Sequence, residues 1–134
     1  MLSIFPELFA LEFIGVTLVR LTVGVVLLYI GLMTTGIKKT AYSNSMKVKN
    51  YPLYNFIPII FGIVEIITGV FLIAGFLTQL MTIIGIYIFV NLIFIEKHVG
   101  RVFDYSNLFY FVMILISISV LFLGPGIFSF DLPL

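Results

Sequence analysis

The sequence predicts an all-α polytopic membrane protein built as a bundle of four transmembrane helices. Of its 134 residues, 62% are hydrophobic and only 10% are charged, and the mean hydropathy is +1.28. Water-soluble domains contain about 45–50% apolar and about 25% charged residues, and so short a chain has too little interior to hide the excess. The composition excludes a disordered chain and a nucleic-acid-binding protein, and the lipid bilayer is the expected surrounding.

Four apolar runs are long enough to cross a bilayer. A hydrocarbon core about 30 Å thick needs about 20 helical residues per crossing. We therefore predict spans at about 13–33, 55–74, 77–95 and 108–123, all within one membrane domain covering residues 1–134. The runs lack the alternation of period two that marks β-barrel strands, and backbone groups in lipid must be satisfied within each segment, so every span is predicted to be a helix.

Each predicted span ends at residues that interrupt an apolar helix. The first ends before the lysine pair 38–39, and the second ends at Gly75. The third stops at the charged residues 96–98, and the fourth stops at Gly-Pro-Gly 124–126, where proline removes a backbone donor and glycine permits non-helical dihedrals. The longest stretch between spans, residues 34–54, is predicted to be a loop with room for a short interfacial helix.

The distribution of basic residues predicts the orientation. Two connections, between the first and second spans and between the third and fourth, carry six of them. These are Lys38, Lys39, Lys47, Lys49, Lys97 and Arg101. The short middle connection and both termini carry none. By the positive-inside rule, the basic loops are cytoplasmic and both termini lie outside the cell membrane.

Two ionisable residues, Arg20 and Glu65, fall well inside predicted spans. An unpaired charge at the centre of a membrane helix costs roughly 2.5–3.5 kcal/mol on insertion scales. The first two spans are consecutive and should pack antiparallel, and a rise of about 1.5 Å per residue brings both charges to similar depth. We therefore predict an intramembrane ion pair between Arg20 and Glu65. Its role can be functional or purely structural, and the sequence leaves both hypotheses open.

Each of these two charged residues shares its helical face with two glycines. At about 100° per residue, Gly24 and Gly31 lie on the charged face of the first span, and Gly62 and Gly69 lie on that of the second. Both glycine pairs are separated by two helical turns. Because small residues let backbones approach closely in lipid, the four glycines predict a tight helix–helix contact around the charges.

The third span carries candidate ligand-lining residues. Tyr87, Asn91 and His98 share one side of it, and an apolar pocket with a few polar groups suits a lipid-soluble carrier such as a quinone. The more common role of a lone histidine beside charged residues at a membrane boundary is that of a solvated interface residue. With no cysteine and one histidine in the sequence, we predict no metal site.

Three segments of the chain carry family motifs. They are Arg20-Leu-Thr-Val-Gly24 with Tyr29-Ile-Gly31-Leu, Gly62-Ile-Val-Glu65-Ile-Ile-Thr-Gly69 with Leu72-Ile-Ala-Gly75-Phe, and the tail Gly124-Pro125-Gly126-Ile-Phe-Ser129-Phe-Asp131. They resemble the DoxX/DoxD-like family of small four-helix membrane proteins, some of which take part in quinone-linked oxidation. The resemblance implies that Arg20 and Glu65 are paired membrane charges and that Ser129 and Asp131 are the polar positions of the tail. Thiol chemistry, which some wider relatives use, does not carry over to a chain without cysteine.

The sequence and the resemblance together give two functional hypotheses. The first is an accessory or structural membrane subunit of a redox complex, quinone-linked, with bound quinone or lipid and no cofactor of its own. A small bundle without a cofactor motif cannot transfer electrons unaided, so other subunits are its expected partners and it is not expected to be catalytic alone. If it is part of an enzyme, that enzyme is a membrane oxidoreductase. The alternative is a small transporter, or a lipid- or quinone-binding membrane protein, that acts alone.

Overall fold

Every regular element in the described part of the chain is an α-helix. The computed structural model describes residues 11–124 and residue 126. Its helices are α1 (Glu12–Thr35), α2 (Lys39–Val48), α3 (Ile57–Ala74), α4 (Thr78–Val99) and α5 (Asn107–Leu123). The all-α prediction is confirmed.

The four predicted spans correspond to α1, α3, α4 and α5. The first three are long and apolar enough to cross a membrane, and α5 is a shorter apolar helix of 17 residues. About 17 residues is the lower limit for a crossing helix. The chain is therefore a polytopic helical membrane protein, as the sequence predicts.

The third predicted span is shorter than the helix that contains it. We predicted that it ends near residue 95, whereas α4 continues through the charged residues 96–98 to Val99. Lys97 and His98 lie in its last turn, where basic side chains interact favourably with the negative end of the helix dipole. Hydropathy marks where the apolar run ends, and the helix continues beyond it.

The four long helices form a closed ring. The contact between α1 and α3 is the most extensive, and that between α4 and α5 comes next. Contacts between α3 and α4 and between α1 and α5 complete the ring. The turn from α3 to α4 is tight, and Gly75 adopts the left-handed conformation there with φ of 71°. The arrangement is that of an up-and-down four-helix bundle.

The short helix α2 lies on one end of this bundle. It contacts α1 and α3 and buries Tyr42, Ser43 and Met46, while Lys47 is exposed. The same end holds the loops with the six basic residues, and we call it the basic end. An amphipathic helix at the end of a membrane bundle is suited to the lipid–water interface.

Glycine brings the backbones of α1 and α3 into contact. A Cβ atom on Gly69 would lie 2.7 Å from both the carbonyl oxygen of Gly24 and the amide nitrogen of Leu28. One on Gly31 would lie 2.8 Å from the carbonyl oxygen of Gly62. The structure thus places the four glycines identified in the sequence in the α1–α3 contact.

These contacts also fix the register between the two helices. Gly24 lies against Gly69 and Ile73, whereas Gly31 lies against Gly62. The helices are therefore antiparallel, and a residue of α1 faces a residue of α3 when their numbers add to about 95. No larger side chain separates the backbones, so the register has little freedom to shift.

We expect Gly69→Ala to destabilise the protein by about 1–3 kcal/mol, because the added methyl meets backbone atoms that cannot move aside independently. Gly15→Ala in α1 is the matched control, since a Cβ there has nothing within 4 Å. It should be neutral or stabilise by about 0.5–1 kcal/mol. Thermal unfolding of both variants in detergent measures the difference. Equal unfolding temperatures would argue against a backbone contact at Gly69.

Candidate functional site

Glu65 is completely buried in α3, with 0% of its surface exposed. The hydroxyl of Thr34 in α1 lies 2.9 Å from its Oε2 atom, at hydrogen-bond distance. Its other oxygen, Oε1, is also buried and has no hydrogen-bond partner among the described residues. A buried carboxyl oxygen without a partner is costly, which makes this position a candidate functional site.

Tyr42 brings a phenol to the same region from α2. Its side chain is buried, and its hydroxyl has no hydrogen-bond partner in the described part of the chain. Burial and, secondly, the negative charge of Glu65 raise the pKa of Tyr42 above its ordinary value. The phenol therefore stays neutral at physiological pH and can donate a hydrogen bond.

A second buried carboxyl lies nearer the basic end. The hydroxyl of Tyr110 in α5 donates to Oε1 of Glu96 in α4 over 2.9 Å, and both side chains are buried. Tyr110 also interacts electrostatically with Glu65. Both carboxyls therefore interact with Tyr110, Glu96 through a hydrogen bond and Glu65 electrostatically.

We call this group the inner cluster. It contains Thr34, Tyr42, Glu65, Glu96 and Tyr110, which come from α1, α2, α3, α4 and α5 in that order. Each helix thus contributes one side chain to the cluster. Chemically, the cluster offers hydroxyl donors and carboxyl acceptors in apolar surroundings, where a hydrogen bond to a ligand is stronger than in water.

Arg20 lies in a different layer of the bundle. It is 1% exposed, and the α1–α3 register places it level with the end of α3 and the turn 75–77. Thr34, the partner of Glu65, lies fourteen residues further along α1, about 21 Å at the helical rise. Arg20 itself has at least one hydrogen-bond, ion-pair, ring or electrostatic interaction.

The predicted ion pair between Arg20 and Glu65 is therefore not formed. The sequence-based estimate assumed that both spans are centred at the same height, whereas the glycine contacts shift one helix against the other. The Cα–Cβ bond of Arg20 also points toward the N-terminus of α1, away from Glu65. Opposite charges on adjacent faces do not meet when the register separates them along the axis.

The three candidate ligand-lining residues share a face of α4, but that face points out of the bundle. Tyr87 is 65% exposed, and the amide of Asn91 donates to its carbonyl oxygen. His98 is exposed, and its ring stacks on Phe94 with 4.0 Å between the centroids. The hypothesis that they line a pocket between helices is not supported, because they face lipid or water instead.

The tail motif is only partly described. α5 ends at Leu123, the residue at which the fourth span was predicted to end, and is followed by Gly124 with φ of 83° and Gly126 with φ of 77°. Its other predicted residues lie outside the described part of the chain. These are Pro125, Ser129 and Asp131.

Glu96, a member of the inner cluster, is buried although the sequence places it at the end of an apolar run. Glu96 follows an apolar run within a charged cluster, so sequence reasoning places it in water. The signal that it is buried is its position on the stripe of Gly85, Phe89 and Leu92, which are buried on the same face of α4. Tyr110 begins a similar stripe in α5.

The chain was compared with known families, proteins and structures. A family model described as DoxX matches residues 15–98, which contain Arg20 and four of the five residues of the inner cluster. Neither the curated proteins nor the solved structures give a match. The fifth member of the cluster, Tyr110, follows the matched segment.

Double-mutant cycles separate the observed contact from the predicted one. Thr34→Val and Glu65→Leu should be coupled by about 0.5–3 kcal/mol, because they share a hydrogen bond. The control pair, Arg20→Leu and Glu65→Leu, should be additive within about 0.5 kcal/mol, since the two sites are far apart. Free energies of unfolding in mixed micelles provide both values. The reverse pattern would contradict the site geometry.

Proposed function

Because the chain belongs to the DoxX family, we propose that it is a membrane subunit of a redox complex and that a quinone headgroup binds beside Glu65. The observation that supports this most is a pair of buried polar atoms, Oε1 of Glu65 and the hydroxyl of Tyr42, which have no hydrogen-bond partner among the residues that the structure describes. A quinone carbonyl accepts a hydrogen bond from a phenol, and a quinol hydroxyl donates one to a carboxyl. A few such groups in an apolar setting are typical of small-molecule sites.

Electrons would come from a partner subunit in this proposal. The sequence has no cysteine and one histidine, so this chain offers few of the side chains that hold haem or iron–sulfur clusters. Its own part is to bind the headgroup, to orient it and to keep water from it. We also propose that the basic end faces the cytoplasm, since all six basic residues of the loops lie there.

The second candidate is a small transporter, or a lipid- or quinone-binding protein, that acts alone. The buried Arg20 favours it, because ionisable side chains at two depths of a bundle are typical of a path for a polar solute. Isolation from native membranes distinguishes the two. Stoichiometric partners support the subunit, and a stable solitary protein supports the second candidate.

Quinone content tests the binding site directly. The chain purified from native membranes in mild detergent should retain quinone, and Tyr42→Phe or Glu65→Gln should reduce the amount at least about tenfold, the loss of one buried hydrogen bond being worth about 1.4 kcal/mol. Tyr87→Phe is the matched control, because that phenol lies on the outer face. Equal quinone content in all three variants would contradict a site beside Glu65.

A further inference from the structure

Polar side chains lie on the outer face of α4, in the middle of its apolar span. Tyr87 is the tenth of the 22 residues of α4, and Asn91 follows one helical turn later on the same face. At the helical rise, Tyr87 lies about 14 Å from the start of α4 and about 18 Å from its end. In a hydrocarbon core about 30 Å thick, its exposed phenol is too deep to reach water at either end.

The chain satisfies these two polar side chains only in part. One N–H of the Asn91 amide donates to the carbonyl oxygen of Tyr87 over 2.8 Å. The second N–H and Oδ1 of this amide, and the hydroxyl of Tyr87, have no hydrogen-bond partner among the described residues. Such groups are costly in hydrocarbon, where no water replaces the missing partner. The outer face of α4 therefore offers both donors and acceptors to a molecule outside the chain.

The outer faces of the other three spanning helices differ from that of α4. The hydroxyls of Thr22 in α1 and Ser119 in α5 each donate to the carbonyl oxygen four residues earlier, so both are satisfied within their own helices. Tyr29 in α1 lies nearer the basic end and interacts with Tyr105. In α3, every exposed residue is apolar. The groups that seek an outside partner at mid-membrane thus lie on α4.

A second copy of the chain fits this face. Copies of one chain insert into a membrane in one orientation, so their α4 helices can pack in parallel with equivalent residues at the same depth. An amide both donates and accepts, and two Asn91 side chains that meet across a twofold axis satisfy each other. The exposed side chains around them are spaced alternately by three and four residues, the pattern of left-handed helix packing. They are Leu80, Ile83, Tyr87, Val90 and Phe94.

We propose that the outer face of α4 is a dimer interface, at which two copies meet across a twofold axis normal to the membrane. The second N–H of each Asn91 amide donates to Oδ1 of the equivalent amide in the other copy. The two Tyr87 phenols are removed from lipid at the same time. The inference goes beyond the proposed function, since it needs neither a quinone nor a partner subunit. Its failure would leave that function untouched, because the inner cluster lies within one copy.

Single cysteines locate the interface in the full chain. The sequence contains no cysteine, so a variant with one can form a disulfide only with another molecule. Val90→Cys lies on the outer face of α4, where Val90 is 49% exposed. Ile63→Cys on the outer face of α3 is the matched control, because Ile63 is 47% exposed and lies at a similar distance from the turn that joins the two helices.

The expected result is a disulfide-linked dimer through α4. In liposomes treated with an oxidant, Val90→Cys should form it at least about tenfold faster than Ile63→Cys, because a disulfide needs Cα atoms within about 7 Å of each other. Equal rates, or faster linkage through α3, would overturn the proposal. So would a disulfide from Val90→Cys to a different protein, in place of a second copy, when native membranes are oxidised, because a partner subunit would then cover α4.

Asn91→Leu tests the hydrogen bonds of the interface. Dyes attached through Asn44→Cys, an exposed position in α2, report dimers by energy transfer while the protein is diluted with lipid in liposomes. Asn91→Leu should raise the dissociation constant of the dimer about tenfold, because two equivalent hydrogen bonds are lost. Ser119→Ala is the matched control and should leave the constant unchanged, since this outer-face hydroxyl bonds to its own helix.

An unchanged constant in Asn91→Leu would overturn the assigned hydrogen bonds. Absence of energy transfer in the labelled chain that retains Asn91, at every dilution, would overturn the dimer itself. The disulfide experiment retains Asn91 and therefore locates the interface even if Asn91→Leu does not fold.

Discussion

The contact between the backbones of α1 and α3 determines where every other group in the bundle lies. Gly24 and Gly69 meet near one end of the α1–α3 contact, and Gly31 and Gly62 meet near the other. None of these four residues has a Cβ atom that would separate the two helix backbones. In lipid, helices associate through such close packing rather than through the hydrophobic effect. The register that results places each buried polar side chain at a fixed height, and this height decides which of them can interact.

The consequence is that the two charged residues of the membrane region have separate surroundings. Glu65 forms a hydrogen bond with the hydroxyl of Thr34, while Arg20 lies further toward the opposite end, level with the turn 75–77. A carboxyl held by hydroxyls can gain or lose a proton with little rearrangement, whereas one held by a guanidinium is kept as an anion. The absence of the Arg20–Glu65 pair is therefore what gives Glu65 the chemistry proposed for it.

Much of the fold follows from the sequence, and the site follows only in part. Hydropathy and helix breakers locate the apolar helices, and helical periodicity places Gly24, Gly69 and Glu65 on the right faces. Periodicity gives the direction of a side chain and not its height relative to a neighbouring helix, so the pairing of Glu65 with Arg20 was wrong. Glu96 was missed for a related reason. The apolar run in the sequence ends where the hydrocarbon core of the membrane ends, whereas the interior of the helix bundle extends further and still buries Glu96.

The distance between the Arg20 guanidinium and the Glu65 carboxyl tests this account most directly. Solid-state NMR of the protein in lipid, with ¹⁵N in arginine and ¹³C in the glutamate carboxyl groups, measures it through the dipolar coupling, and the Glu65→Gln variant identifies the Glu65 signal. The account predicts no arginine coupling at Glu65, because the register separates the two groups by far more than contact distance. A strong coupling that corresponds to an ion pair within about 4 Å would contradict it.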